Sequence, residues 1–150
     1  MAFFAGLFVM VGALVNTGVI GELSDAIAGA VEDRLLLASM VILWGSAILS
    51  AVVDNIPYVA TMSPVVADLV HANGNTPQSH VLWWALALGA DLGGNATAIG
   101  ASANVVVLGL AERAGRPITF WDFTKYGLVV AVVTVAVSTP YLWLRCFVFA

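Results

Sequence analysis

The sequence predicts an all-α integral membrane protein, made of spanning helices plus a re-entrant helical hairpin and a broken helix. Three observations carry that prediction. Of 150 residues, 61% are hydrophobic and 9% charged, where soluble domains run at roughly 45–50% and about 25%. The apolar residues fall in uninterrupted runs of helix length. Two polar islands interrupt those runs where polarity is most costly. With a mean hydropathy of +1.01, there are too few charges to solvate a globular surface, which excludes an ordinary soluble enzyme and a disordered tail. The formal net charge of −4 excludes a nucleic-acid binder, which needs a basic face.

The first run, residues 3–20, carries no charge and is long enough as a helix to cross ~30 Å of hydrocarbon. A cleaved signal peptide is the rival reading. Ala28-Gly29-Ala30 resembles a cleavage site, but the positive n-region is absent. Asn16-Thr17 reads as the cap of this run, with a lining group as the alternative. Residues 22–33 place Leu23, Ala26, Ile27, Ala30 and Val31 on one helical face among Glu22, Asp25, Glu32 and Asp33. They predict a short interfacial helix capped by Ser24 or Asp25.

Residues 35–53 and 56–70 read as two arms separated by Asp54-Asn55. Pro57 lacks an N–H and disfavours helix in the residue before it, so the chain should break here. The second arm is short for a full crossing and carries Thr61, Ser63 and Pro64. That favours a re-entrant hairpin with Asp54 at its tip over two spanning helices with Asp54 in a surface loop. A carboxylate at mid-bilayer costs about 2.5–3.5 kcal/mol on insertion scales and must face protein, water or an ion. The stretch 71–80, with Asn73-Gly74 and Thr76-Pro77, is a solvent loop. His71 and His80 belong to it as solvated side chains, at a spacing that suits no helical metal pair.

The block 81–111 has the length of one crossing, but its middle is polar and small. Apolar residues 81–90 and 105–111 flank an island with Gly93, Gly94 and Gly100 among Asp91, Asn95, Thr97, Ser102 and Asn104. Glycines weaken a helix, and unpaired backbone survives in hydrocarbon only where it lines a cavity or is buried in protein. The predicted outcome is a broken helix, whose free carbonyls and half-helix ends are the ion sites of secondary transporters. The alternative is a continuous helix whose Gly89 and Gly93 form a small-residue packing face. Asn95-Ala96-Thr97 matches a glycosylation sequon that membrane depth would make inert.

Residues 112–125 hold Arg113, Arg116 and Lys125, three of the five cationic residues. Phe120, Trp121 and Phe123 suit an interfacial belt. The last crossing is 126–149, with Pro140 as a kink candidate and Arg145 able to snorkel. The positive-inside rule places the 112–125 loop in the cytoplasm of a multi-pass inner-membrane protein, with 21–34 and 71–80 outside. The chain reads as one membrane domain, with no linker and no convincing internal repeat. Cys146 is the sole cysteine, so there is neither an intrachain disulfide nor a cysteine metal cage. No nucleotide motif, nucleophile triad or metal cluster is present, and no resident cofactor is expected.

The strings Ser50-Ala51-Val52-Val53-Asp54-Asn55-Ile56-Pro57-Tyr58-Val59-Ala60-Thr61-Met62 and Gly89-Ala90-Asp91-Leu92-Gly93-Gly94-Asn95-Ala96-Thr97-Ala98-Ile99-Gly100-Ala101-Ser102-Ala103-Asn104-Val105 resemble the ion transporter superfamily, in its arsenite permease and sodium–proton antiporter branch. The resemblance runs over nearly the whole chain. It implies a citrate-transporter-like fold of two inverted repeats, of which this chain is the C-terminal half. It maps 35–70 onto the second hairpin, entering from outside, and 81–111 onto the broken helix. It implies ion or substrate binding by Asp54, Asn55, Gly94, Asn95, Thr97, Ser102 and Asn104, with Asp54 and Asp91 as proton-coupling candidates. Sodium, protons, arsenite, chloride and organic anions all occur as cargo among such transporters.

Asp54-Asn55-Ile56 stands where the dicarboxylate branch has Ser-Asn-Thr. That difference argues against a sodium–dicarboxylate carrier and adds a titratable group. The expected partners are the bilayer, a small inorganic or organic ion, a first-half repeat and a second copy in a homodimer. The rival functions are a non-transporting membrane assembly subunit and a membrane enzyme using Asp54 and Asp91 as an acid–base pair. The enzyme would need a third polar cluster for substrate headgroups, and the sequence holds none.

Overall fold

The structure is a computed structural model. It describes residues 34–148 continuously, together with Gly6, Val9, Ala13, Asn16–Gly18 and Glu22. The helices expected over 3–20 and 22–33 lie outside the described residues apart from those few, as do Ser24, Asp25 and residue 149. Gly18 takes φ +80°, the left-handed conformation common just past a helix end.

Five helices follow in order: α1 (Leu35–Ser50), α2 (Asn55–Ala72), α3 (Val81–Gly93), α4 (Ser102–Arg113) and α5 (Phe120–Trp143), which continues as a π-helical turn over Leu144–Val148. No strand occurs among the described residues. Phe120–Val148 is the one described segment long and apolar enough to cross a bilayer. At 1.5 Å per residue α1 is about 24 Å long and α3 about 20 Å.

The burial pattern is that of a membrane protein turned outward. In α1 the buried stripe is small and partly polar, with Ser39, Ser46, Ala47 and Ser50 beside Ile42 and Leu43. Meanwhile Leu37, Val41, Ile48 and Leu49 are exposed. Lipid solvates large apolar side chains, so helices associate there through small residues and hydrogen bonds. The small stripe of α1 lies on α3, the central helix, against which α2 and α5 also pack. Gly89 and Gly93 make the α1–α3 approach possible. A β-carbon on Gly89 would overlap the Leu43 carbonyl oxygen, and one on Gly93 would overlap the Ala47 backbone. The packing face and the broken helix are therefore both present, because the glycines that pack end at the residue where the helix stops.

The starts of the second arm and of the last helix differ from the expected ones for local reasons. The second arm starts at Asn55, because Pro57 sits in the first turn of α2, where its missing N–H has no intrahelical partner to lose. Pro64 lies mid-helix without ending it. The last helix starts at Phe120 instead of residue 126. The Thr119 hydroxyl accepts from the Asp122 N–H at 3.2 Å and donates to Asp122 Oδ2 at 2.6 Å, so residues written as loop form the first turn. Lys125 pairs with Asp122 at 3.8 Å on that exposed turn.

Helix α4 has no buried residue. Val105, Val106, Val107 and Leu110 are all exposed, and the helix has no extensive packing on another described element.

Candidate functional site

Both polar islands become breaks in helical structure, and the two breaks lie against each other. The first is the turn 51–54 between α1 and α2, and the second is the non-helical segment 94–101 between α3 and α4. Three hydrogen bonds cross between the breaks and the helix ends beside them. Ser50 Oγ donates to the Ala90 carbonyl at 2.6 Å. Thr97 Oγ1 donates to the Ala51 carbonyl at 2.5 Å. The Asn55 N–H donates to the Gly100 carbonyl at 3.3 Å. Gly100 is required for this contact, since a β-carbon would meet the Ser50 and Gly94 carbonyl oxygens at 2.9 and 2.6 Å.

Each candidate residue has a definite place here. Asp54 is the N-cap of α2, and its Oδ1 accepts the Ile56 N–H at 3.1 Å. That satisfies an orphan donor and sets the carboxylate at the positive end of the helix dipole. Asn55 opens α2 half-buried and reaches the second break through its backbone. Thr97 Oγ1 accepts the Gly100 N–H at 3.1 Å in addition to donating to Ala51. Asn104 reaches back from the first turn of α4, with Nδ2 donating to the carbonyls of Gly94 and Thr97, both at 2.9 Å. Gly94 is buried, while Asn95, Ser102 and Asp91 are exposed. Asn95 Nδ2 lies 3.4 Å from the Asp91 carbonyl.

Asn55, Gly94, Thr97 and Asn104 thus belong to one bonded junction, and Asp54 adjoins it with its carboxylate bonded to the Ile56 N–H. Asn95 instead turns to α5, where Gly127 admits the Asn95 and Ala96 carbonyls against its backbone. There Asn95 lines an open groove of about 560 Å³ with Asp122, Phe123 and Tyr126.

Two participants were not among the candidates. Ser50 is buried at 0% exposure, and its signal is its place as the last member of the small stripe on α1. Gly127 carries no sequence signal, because its role exists only once α5 meets the second break.

Two helix C-termini (α1, α3) and two N-termini (α2, α4) converge on the junction. The N-cap of α4, Ala101, makes no side-chain cap, so its first amides are left to other partners. Such an arrangement offers carbonyl dipoles to cations and amide dipoles to anions within one small volume. No group of three or more His, Cys, Asp or Glu suited to a metal occurs among the described residues.

Residues 1–89 match the citrate transporter family. The chain belongs to that family. An uncharacterized transporter of Mycobacterium tuberculosis is 57% identical over 99% of this chain, which covers 34% of that protein. An uncharacterized transporter of Synechocystis is 35% identical over 96% of the chain and 35% of its own length. The P protein of Homo sapiens is 41% identical over 95% of the chain and 18% of its own length. No solved structure matches. This member of the citrate transporter family therefore spans about a third of the length of its bacterial relatives. Those bacterial relatives are named as transporters, and their likeness includes the second break, which lies beyond the family match.

Proposed function

We propose that this chain is the C-terminal half of a secondary active ion transporter, anion or Na⁺/H⁺ type and arsenite-permease-like, that binds its ion between the 51–54 tip and the 94–101 break. The observation that carries this reading is the meeting of the two breaks, with Thr97 bonded to Ala51 and Asn55 bonded to Gly100. Backbone released from helical pairing is tolerated at membrane depth only where it is buried or lines a polar cavity, and here two such segments share one place.

In this reading Asp54 is the coupling carboxylate, with Asp91 the second candidate. Asn55, Asn95, Ser102 and the 93–95 and 100–102 backbone supply further ion contacts, with Gly94, Thr97 and Asn104 shaping the cradle. The α1–α2 pair is a re-entrant hairpin entering from outside, and the 112–125 loop is cytoplasmic. The bare apolar surface of α4 is covered by the first-half repeat, and the assembled protein is a homodimer. Movement of the site across the membrane is elevator-like or rocking.

The test is ion flux in proteoliposomes holding the complete protein, with sodium, arsenite, chloride and organic anions screened with and without a pH gradient. Asp54→Asn is expected to abolish or uncouple transport while leaving membrane insertion intact. Wild-type flux and pH dependence in that variant overturn the reading.

A further inference from the structure

We propose that Thr97 is a positioning residue that fastens the tip between α1 and α2 to the break between α3 and α4, so that the two segments move as one body. The idea deepens the transporter reading and rests on it for the flux measurement alone.

The hydroxyl of Thr97 is a single atom with two backbone partners on different segments. It donates to the Ala51 carbonyl across 46 residues of sequence and accepts the Gly100 N–H. Gly100 in turn holds the Asn55 N–H through its carbonyl. The chain of contacts therefore runs from Ala51 through Thr97 and Gly100 to Asn55, beginning and ending on the tip. Little else near the tip holds it to its surroundings. Beyond the Tyr58–Ser46 hydrogen bond one turn further along, the two arms touch little, and Val52, Val53 and Ile56 all project outward as exposed side chains. Ser50 adds one further bond at the base, to Ala90. With its proton committed to Ala51 and one lone pair to the Gly100 N–H, the Thr97 hydroxyl is a joint between segments, with a single lone pair left over.

The experiment uses the full-length protein that contains this chain, purified in lipid nanodiscs without transported ion, and reads amide hydrogen exchange in peptides covering 51–56 and 97–104. Thr97→Val removes the hydroxyl at nearly constant volume. Loss of these part-buried bonds between the hydroxyl and the backbone corresponds to about a tenfold rise in exchange, and the joint requires that rise in both peptides together. Thr97→Ser keeps the hydroxyl and is expected to restore wild-type exchange and flux. Thr97→Ala gives the same reading if the valine variant does not accumulate.

A rise confined to 97–104, or no rise in either peptide, overturns the proposal. Absence of flux for every ion in the wild-type protein would overturn the transporter reading while leaving the exchange result to decide the joint.

Discussion

Gly93 of α3 lies so close to Ala47 of α1 that a β-carbon on it would overlap the Ala47 carbonyl oxygen and α-carbon. This contact fixes how deeply the end of α3 sinks into α1, and therefore where the 94–101 break meets the tip.

Gly93→Ala is expected to force the helices apart and destabilise the chain by about 1–3 kcal/mol, the usual range for overpacking. Gly45→Ala is the control. It lies on the same helix as Ala47 but has open space around the added carbon, so it is expected to be neutral or stabilising by up to about 1 kcal/mol, as glycine is a poor helix former. Denaturant unfolding of both variants in detergent micelles checks the pair. Equal effects would remove close helix approach as the role of Gly93.

Asn104 separates two chemistries that its residue type leaves equivalent. Its amide donates to the Gly94 and Thr97 carbonyls. Asn104→Ala leaves the Gly94 carbonyl without that donor and the Thr97 carbonyl with the Gly100 N–H alone, at about 1–3 kcal/mol for a buried unsatisfied group. Asn104→Asp sets an acceptor-only carboxylate against two carbonyl oxygens, so it is expected to be less stable than the alanine variant. If Asn104 acted instead as a cation ligand, the aspartate would bind cation more tightly and gain stability with added salt of that cation. Thermal unfolding of the three proteins with and without sodium distinguishes the two.

This case shows what the sequence makes legible and what it does not. Both breaks are readable, because Gly93-Gly94-Asn95 and Asp54-Asn55-Ile56-Pro57 are poor helix at any depth, and the outward-facing apolar surface follows from composition. The partnership of the breaks is not readable, since it depends on a hydroxyl reaching a carbonyl 46 residues away. Thr97 and Asn104 are oxygen-bearing side chains in a polar island, and an inventory of side-chain types cannot tell an ion ligand from a clamp on backbone carbonyls. The start of α5 was legible in Thr119 and Asp122, whose spacing is a helix-capping signature, but the aromatic belt beside them masks it. The exposed face of α4 has no meaning in the sequence alone, where Val105–Leu110 reads as ordinary spanning residues.

The buried pair Tyr58 and Ser46 ties α2 to α1, with the phenol donating to the serine hydroxyl at 3.0 Å. Tyr58→Phe and Ser46→Ala are each expected to cost about 0.5–1.5 kcal/mol. The double variant is expected to be more stable than the sum of the single losses predicts, with about 1 kcal/mol of coupling, because the two groups satisfy each other. Strict additivity in unfolding measurements would show that the bond does not hold the two arms in place.

Sidedness and the depth of the tip are decided by one labelling experiment, because Cys146 is the sole cysteine of this chain and Cys146→Ser gives the chain a clean background. In intact cells a membrane-impermeant maleimide is expected to modify Asn75→Cys, in the polar loop after α2, and to spare Ala114→Cys beside Arg113 and Arg116. After the membrane is opened, Ala114→Cys is expected to react. The reverse pattern would overturn the assignment of the 112–125 side by its positive charge. Val53→Cys, in the tip, adds the second answer. A re-entrant hairpin returns the chain to the side it came from, so the tip reacts slowly and from the same side as Asn75→Cys. If α1 and α2 each cross instead, the tip emerges opposite the 71–80 loop and reacts fast from the other side. At about 24 Å, α1 falls short of the ~30 Å hydrocarbon thickness, which favours the slow, same-side result.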